Sequence, residues 1–503
     1  MATIEGISGN QYVPGTKVYD DVRYQYATST YGEERDLNPG LIVQPKTKED
    51  IVLTLRYAKE KGIAVAIKTG GHQYSGASST SAPNIQLDLE NSFRGAEDRV
   101  IFEKDRKAYA RTSVSWSLGE FNAWLTENKK FVPHGYGQLA RSFGLFGDHV
   151  LSLEIVDTDG NFKEVTKATD PDLFWAFLGG SPGNLGVITH FTIQVHRDED
   201  YNGSRGMKAM YFYDTKTLKR LIDILVEMSD NDNFPRNYDL CISVLSSAFP
   251  LLDLCPGIDE WMARAHPELY GENGLIAWPR AIIVYAQWVP FESGDECDMS
   301  WFDRIKEGSD WILGDSDVQE KPMSQLTGDW IFRNVREFEH PYEKRTYTTR
   351  SHTLAKDRWA EWVVGRIDDI IRPEHNKCWL SAQLQCFGGK NSMFTRNAGN
   401  GTAFSWRDTS IGCTMDAFYE EESKARAEDW QKVNDEEAIG PNGVFSKEDR
   451  RVLWGSYGDW NLDAVWNTYF EDRAKYEKLQ QIRKRADPYG IFTPNPFCVK
   501  RAD

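Results

Sequence analysis

Apolar and polar positions follow two periods along this chain, one helical and one of strands. In residues 41–89, Leu41-Ile-Val-Gln44 is a short apolar strand, and Thr47 to Asp50 forms a capping box with Asp where Glu is usual. Ile51, Val52, Leu55 and Ala58 then share one helical face, and Gly62 supplies the stop. Ile63 to Ile67 predicts a second strand and Ile85 to Leu89 a third. Between them lies Thr69-Gly70-Gly71-His72-Gln73-Tyr74-Ser75-Gly76-Ala77-Ser78-Ser79, a loop of small residues leaving a strand.

From Phe102 to His196 the pattern is mixed. Leu118 to Lys130 predicts an amphipathic helix, Leu151 to Gly160 a strand and tight turn, and Asp172 to Leu178 a short aromatic helix. A second glycine loop, Gly179 to Gly186, precedes a strand over Val187 to Val195. Beyond Arg197, acidic connectors separate long strands (Ala281 to Val289, Trp379 to Phe387, Thr402 to Asp416) from helices such as Leu218 to Met228. Leu380, Ala382, Leu384 and Cys386 alternate with Ser381, Gln383 and Gln385, the signature of a sheet with helices on one face and a polar cavity on the other. A helix over Leu462 to Ala486 and a Pro-rich tail close the chain.

The 503 residues exceed one ordinary core, so two or three domains are expected. With 59 basic against 76 acidic residues, the formal charge of −17 repels nucleic acid and anionic membrane, and neither is expected as a partner. No apolar run approaches the roughly 20 residues of a spanning helix. The start lacks a signal-peptide pattern, which reads as an intracellular, cytoplasmic chain. Seven scattered cysteines with no C-x-x-C spacing fit reduced, buried thiols better than a disulfide framework.

Glycine loops at strand ends present backbone N–H groups that suit a phosphate, although one such loop alone is most often a turn. Neither loop carries the G-x-x-x-x-G-K-[ST] or the G-x-G-x-x-G pattern, which disfavours ATP hydrolysis and ordinary Rossmann binding. His72 changes the balance. An imidazole among Gly and Ser after a buried strand is poorly placed for a core, which leaves a base, a metal ligand or a nucleophile towards a cofactor. No second ligand stands at metal spacing, so no metal is expected.

Gly70-Gly71-His72-Gln73-Tyr74-Ser75-Gly76 resembles the flavin loop of FAD-linked oxidases of the vanillyl-alcohol-oxidase superfamily, in the berberine-bridge-enzyme-like branch. Tyr136-Gly137, Gly144-Leu145 with Asp148, Val156 to Gly160, Asp172 to Trp175, Gly179 to Ile188, Gly388-Gly389, Thr402 to Phe404 with Arg407, and Asp487-Pro488 with Phe492 follow in family order. The resemblance implies an α+β protein: a vanillyl-alcohol-oxidase (PCMH) type FAD-binding domain plus an inserted substrate domain with an antiparallel sheet covered by helices. The expected boundaries are 1–204 for the FAD domain, 205–450 for the substrate domain and 451–503 for a C-terminal return. It further implies that Lys68, Thr69, Gly70, Gly71, His72, Gln73, Tyr74, Ser75, Tyr136, Gly137, Asp148, Gly183, Asn184, Gly186, Val187 and Ile188 hold FAD, and that His72 is covalently linked to it. Such a link prevents cofactor loss and raises the flavin potential.

Two departures stand out. Many members of that branch carry a second link through a cysteine, but here no Cys precedes Cys241, so no cysteinyl link is expected. Phe131-Val-Pro-His134-Gly135 also runs straight into Tyr136, where relatives insert a flavin-facing segment on the order of a dozen residues; a shortened wall loosens a site that works by preorganisation.

The expected reaction is oxidation of an alcohol, sugar or secondary metabolite by hydride transfer to flavin N5, with molecular oxygen as second substrate and hydrogen peroxide as product. Tyr457 and Asp459 are the candidate bases, and Gln383, Gln385 and Arg407 the candidate substrate contacts. Two other readings stay open: a flavin dehydrogenase using another acceptor, and a flavin-free binding or scaffold protein, motivated by the shortened loop at Gly135-Tyr136.

Overall fold

The computed structural model describes residues 2–23, 37–74, 76–135, 137–180, 185–246, 280–307, 317–329, 341–371, 377–447, 451–452 and 461–503. The strands among them form three sheets.

The first sheet holds β1 (Asn10–Tyr12), β2 (Leu41–Gln44), β3 (Val65–Lys68) and β4 (Ile85–Asp88) in the order β1-β2-β4-β3. β2, β4 and β3 run parallel, and the helix Lys48–Lys61 makes the crossover between β2 and β3. Its ends are written locally. Thr47 accepts the Asp50 N–H, Asp50 accepts the Thr47 N–H, and Gly62 closes the helix in the left-handed region at φ 65°. Such a cap contributes about 1 kcal/mol. The apolar stripe Ile51, Leu55 and Ala58 is buried against Leu41, Val43, Val65, Ile85 and Leu87.

The second sheet contains β5 (Arg99–Lys104), β6 (Lys107–Ser113), β7 (Lys130–Phe131), β8 (Val150–Val156), β9 (Phe162–Thr166) and β10 (Val187–Arg197). Its order is β5-β6-β10-β8-β9, with β7 pairing the far end of β10. The C-terminal helix Arg473–Ala486 returns to this sheet: Tyr476, Leu479 and Ile482 share a core with Ile155, Phe174, Phe177 and Ile193. Ile491 and Phe492, just beyond, enter the core of the first sheet.

The third sheet is antiparallel and eight-stranded, with β11 (Arg205–Phe212), β12 (Tyr238–Leu245), β13 (Ala281–Trp288), β14 (Gln319–Glu320), β15 (Tyr342–Thr349), β16 (Cys378–Cys386), β17 (Ile411–Tyr419) and β18 (Arg451–Val452). Their order is β14-β11-β13-β12-β16-β17-β15-β18. One face is covered by the helices Thr215–Asp230, Trp359–Ile371 and Lys424–Ala438. Leu218, Leu221, Ile222, Leu225 and Met228 recur at helical spacing and pack with Leu380, Ala382, Leu384 and Cys386. Truncating one of these leucines to Ala costs about 2–5 kcal/mol. The period-2 reading of β16 therefore describes the real sheet: the apolar set faces the helices and Ser381 and Gln383 face a cleft.

Several element ends differ from the sequence reading. The helix expected to Lys130 stops at Glu127, because Asn128 caps it, Lys129 turns to φ 56° and Lys130 joins β7. The strand expected from Thr402 begins at Ile411; residues 402–410 form a loop that turns at Trp406, φ 62°. The helix expected from Leu462 to Ala486 is two helices, Trp466–Tyr469 and Arg473–Ala486, since Asp472 caps the second through the Lys475 N–H. At the edge of the third sheet β18 pairs with β15.

The cysteines among the described residues (Cys241, Cys297, Cys378, Cys386, Cys413 and Cys498) are all free thiols. Cys255 lies outside the described residues. No helix among the described residues is long and apolar enough to cross a membrane.

Candidate active site

Beyond Lys68 the chain leaves β3. The last rung of the β3–β4 ladder is Leu89 N–H to Lys68 O at 2.8 Å. The next acceptor, Leu89 O, already receives the Ser92 N–H at 3.2 Å and the Ser115 hydroxyl at 2.6 Å. Thr69, Gly70 and Gly71 therefore leave the ladder where they come to line a cleft of about 650 Å³ between the first two sheets and the third. That size is ordinary for a ligand cavity.

Two glycines clear the space. Gly71 sits at φ 66°, in the left-handed region. A Cβ on Gly70 would lie 2.8 Å from His72 Cδ2, so a side chain there would displace the imidazole. Across the cleft Gly186 is at φ 150°, where a Cβ would meet Val156 O and Ile155 Cδ1 at 3.3 Å. Strand-end amides, cleared backbone and an accessible imidazole are the donor set that a diphosphate and a histidyl-linked flavin require, and these residues fit FAD. Partial burial pushes the His72 imidazole below its ordinary value; the charge of Glu90 opposes this and that of Lys344 adds to it. A neutral ring is the nucleophilic form.

The opposite wall is the third sheet. Lys344, Asp416 and Ser381 stand directly across from one another on β15, β17 and β16. Lys344 Nζ donates to both Asp416 oxygens, at 2.9 and 3.1 Å. One step along, Thr346, Thr414, Gln383 and Ser243 form the next row. On the other side, Tyr342, Phe418 and Trp379 form an aromatic row joined by Tyr74 from the His72 loop, with ring centroids 4.7 Å (Tyr342–Phe418) and 5.7 Å (Tyr74–Tyr342) apart.

Thr69, Gly70, Gly71, His72, Gln73, Tyr74, Gly186, Ile188 and Gln383, all named from sequence, line this cleft. Six others do not, each for a structural reason. Lys68 is buried in an ion pair with Asp88 (3.2 Å) and Glu90 (2.9 Å). The Gly137 carbonyl accepts the Ala140 N–H and opens a short helix. Val187 is fully buried in the core of the first sheet. Gln385 is buried between Cys241 and Gly412. Asp148 and Arg407 bind each other: Arg407 donates to both Asp148 oxygens, to Thr402 Oγ1 and to Phe394 O. A guanidinium so engaged and so buried is a brace between the 145–148 turn and the 402–410 loop, which corrects its assignment as a substrate contact. Ser75, Tyr136, Gly183, Asn184, Tyr457 and Asp459 lie outside the described residues.

Sequence reading missed Tyr342, Lys344, Thr414 and Asp416 as cleft residues, and placed Ser381 on the cavity face of its strand. β17 did carry a signal, since Thr414 and Asp416 alternate with Cys413, Met415 and Ala417. β15 did not, because both of its faces are polar: Arg345 and Tyr347 point to the helix layer and bond Asp435 there.

Comparison with known proteins agrees with this geometry. Residues 39–137 match the FAD binding domain family. Berberine bridge enzyme-like 23 of Arabidopsis thaliana is 26% identical over 362 residues, covering 65% of each chain. The chain spans 65% of that relative's length and about a third of the length of others, such as Berberine bridge enzyme-like 12 of the same plant, at 30% identity over 175 residues. Among solved structures, the carbohydrate oxidase from Microdochium nivale superposes with a TM-score of 0.69 at 17% identity, covering 99% of both chains. A glucooligosaccharide oxidase from Acremonium strictum, whose FAD is described as 6-S-cysteinyl, 8α-N1-histidyl, gives 0.69 at 15% identity over 98% of this chain and 97% of its own. Residues 39–137 thus carry an FAD binding domain match, and the fold over nearly the whole chain is that of these solved oxidases. The sequence relatives of this chain include berberine-bridge-enzyme-like proteins.

Proposed function

We propose that this chain is an FAD-dependent oxidase that oxidises a small hydroxylated substrate, with FAD tethered through His72 alone. The observation that carries the reading is the placement of His72: a partly desolvated imidazole in a glycine loop leaving β3, facing a polar sheet wall across a cleft of ligand size. FAD held there would supply a two-electron acceptor for a substrate hydride, with dioxygen as the terminal oxidant and hydrogen peroxide as its product.

The residues divide the remaining work. Thr69 to Gln73 would hold the diphosphate through backbone N–H groups, and Gly186 and Ile188 would leave room for the rest of the cofactor. The third-sheet wall would orient the substrate, and that orientation brings the reacting carbon to the cofactor. Proton removal is assigned to Tyr457 or Asp459 from their place in the chain. A second covalent link has no candidate at the flavin loop, since the first cysteine of the chain, Cys241, is buried in β12 and accepts the Gln383 amide at 3.2 Å.

The test is cofactor content. The purified protein should be yellow and should keep its colour in the acid-precipitated pellet, and His72→Ala should abolish the acid-stable colour. An oxygen electrode would then show substrate-dependent oxygen uptake; reduction of an artificial dye without oxygen uptake would favour the dehydrogenase reading. Colourless protein that takes up no added FAD would overturn the proposal in favour of a flavin-free binding protein.

A further inference from the structure

We infer that Asn495, in the tail beyond the Arg473–Ala486 helix, is a positioning residue for the His72 loop, and that the link between His72 and the cofactor depends on it. The inference rests on the flavin reading for the link, but on the tail's own hydrogen bonds for the clamp.

The loop is two turns in series. Gly76 N–H donates to Gln73 O and Ser79 N–H to Gly76 O, each at 2.9 Å, and Gly76 takes φ 76°, in the left-handed region. A turn closed by one backbone bond opens at little cost unless something packs on it. Asn495 does so. Its Nδ2 donates to Gly76 O at 2.9 Å and to Ser79 O at 3.4 Å, the carbonyls at the two ends of the second turn. Its Oδ1 accepts the Phe497 N–H at 3.0 Å. Both halves of the amide are thereby engaged, and the bonds decide its orientation, since a reversed amide would set an oxygen against two carbonyl oxygens. One residue past the turn, the Thr80 hydroxyl donates to Pro494 O at 2.9 Å.

The tail that presents Asn495 is stiff. Pro494 and Pro496 flank it; each fixes its own φ, and Pro496 biases Asn495 towards extended backbone. Upstream, Asp487 accepts the Ile491 and Phe492 N–H groups, both at 2.9 Å, and Arg483 donates to Phe492 O at 3.0 Å. The Arg483 and Asp487 side chains are fully buried and bonded to each other. Ile491 O takes the Val65 N–H at 2.6 Å, which ties the tail to the start of β3, the strand that feeds the loop.

His72 therefore stands just ahead of two anchors, Tyr74 on β15 and Gly76 on the tail. Forming the link exchanges an imidazole N–H and a methyl C–H of the cofactor for one C–N bond. The two electrons and two protons released reduce dioxygen to hydrogen peroxide, so the balance needs no oxidant beyond the one already named. Such a bond forms only from a placed nucleophile, and a misplacement of about 1 Å costs about 100-fold in rate.

The experiment measures two things on the purified full chain: amide hydrogen exchange over residues 69–80, and the acid-stable share of total flavin. Asn495→Asp keeps the shape and the Phe497 contact but replaces both donors with an oxygen; Asn495→Ala removes the clamp without repulsion. Ile491→Val is the control, because it trims a core side chain of the same tail and keeps every backbone bond. In the wild type the Gly76 and Ser79 amides should exchange slowly. Both Asn495 variants should exchange there about tenfold faster, and their acid-stable share should fall about threefold or more while non-covalent flavin is still bound. Ile491→Val should lower the thermal midpoint and keep the wild-type share, an outcome that separates positioning from general stability. The inference is overturned if the wild-type amides exchange freely, a measurement that needs no variant to fold. It is equally overturned if exchange or acid-stable share is unchanged in both Asn495 variants, or if Ile491→Val loses the link as they do. Yellow protein with unchanged exchange sinks the clamp and leaves the flavin reading standing. Colourless protein that takes up no FAD sinks the flavin reading and the link with it, while faster exchange in the Asn495 variants would still support the clamp.

Discussion

The Tyr74 hydroxyl accepts the backbone N–H of Lys344 at 3.0 Å, fastening the His72 loop to β15 of the third sheet. The bond spans 270 positions of sequence and crosses the cleft between the first sheet and the third. Tyr74→Phe keeps the ring contact with Tyr342 but leaves that N–H without its acceptor. Loss of about 1–3 kcal/mol is expected, read as a lower thermal midpoint together with weaker FAD retention. An unchanged midpoint and unchanged cofactor content would show that the bond fastens nothing.

Gly70→Ala separates the cofactor link from the fold. The added Cβ meets the end of the His72 ring at 2.8 Å, and the imidazole is freer to move than the strand. Acid-stable colour should fall severely while the circular dichroism spectrum and the thermal midpoint of the apoprotein change little. Full covalent incorporation in this variant would show that His72 is not held where the structure has it.

Arg407→Met distinguishes a brace from a substrate contact. Its side chain and that of Asp148 are 7% and 1% exposed, so removing the cation strands a buried carboxylate. About 3–5 kcal/mol of stability should be lost, measurable as a shifted urea midpoint. A raised KM with the midpoint unmoved would return Arg407 to the substrate.

Acid sensitivity follows from buried histidines. Burial pushes His134 from 6.5 down to about 4, so the folded chain resists a proton that the unfolded chain accepts. Its stability is therefore complete above pH 6.5 and falls as pH drops towards 4, by about 3 kcal/mol across the window. His149 and His196, also lowered by burial, act in the same sense. Asp239, raised to about 6, works the other way and recovers stability as pH falls below 6. A thermal-midpoint series from pH 7 to 4 should slope downwards, and His134→Gln should flatten it; a parallel series would remove His134 from the account.

What the chain itself determined is local. The Thr47–Asp50 cap, the Gly62 stop, the stripe of the Thr215–Asp230 helix and the two faces of β16 are set by residues within a few positions of one another, where sterics and burial act directly on the pattern. The glycine loop with His72 was legible for the same reason, since amides and clearance belong to consecutive residues. The tertiary structure decided the rest. Lys344, Asp416 and Ser381 lie far apart in sequence and become one row only through strand register. Asp148 and Arg407 looked like separate ligand contacts until 259 positions of chain folded back and let opposite charges neutralise each other out of water. Pairings of that kind have no local period to betray them, because their energy comes from what the fold places opposite.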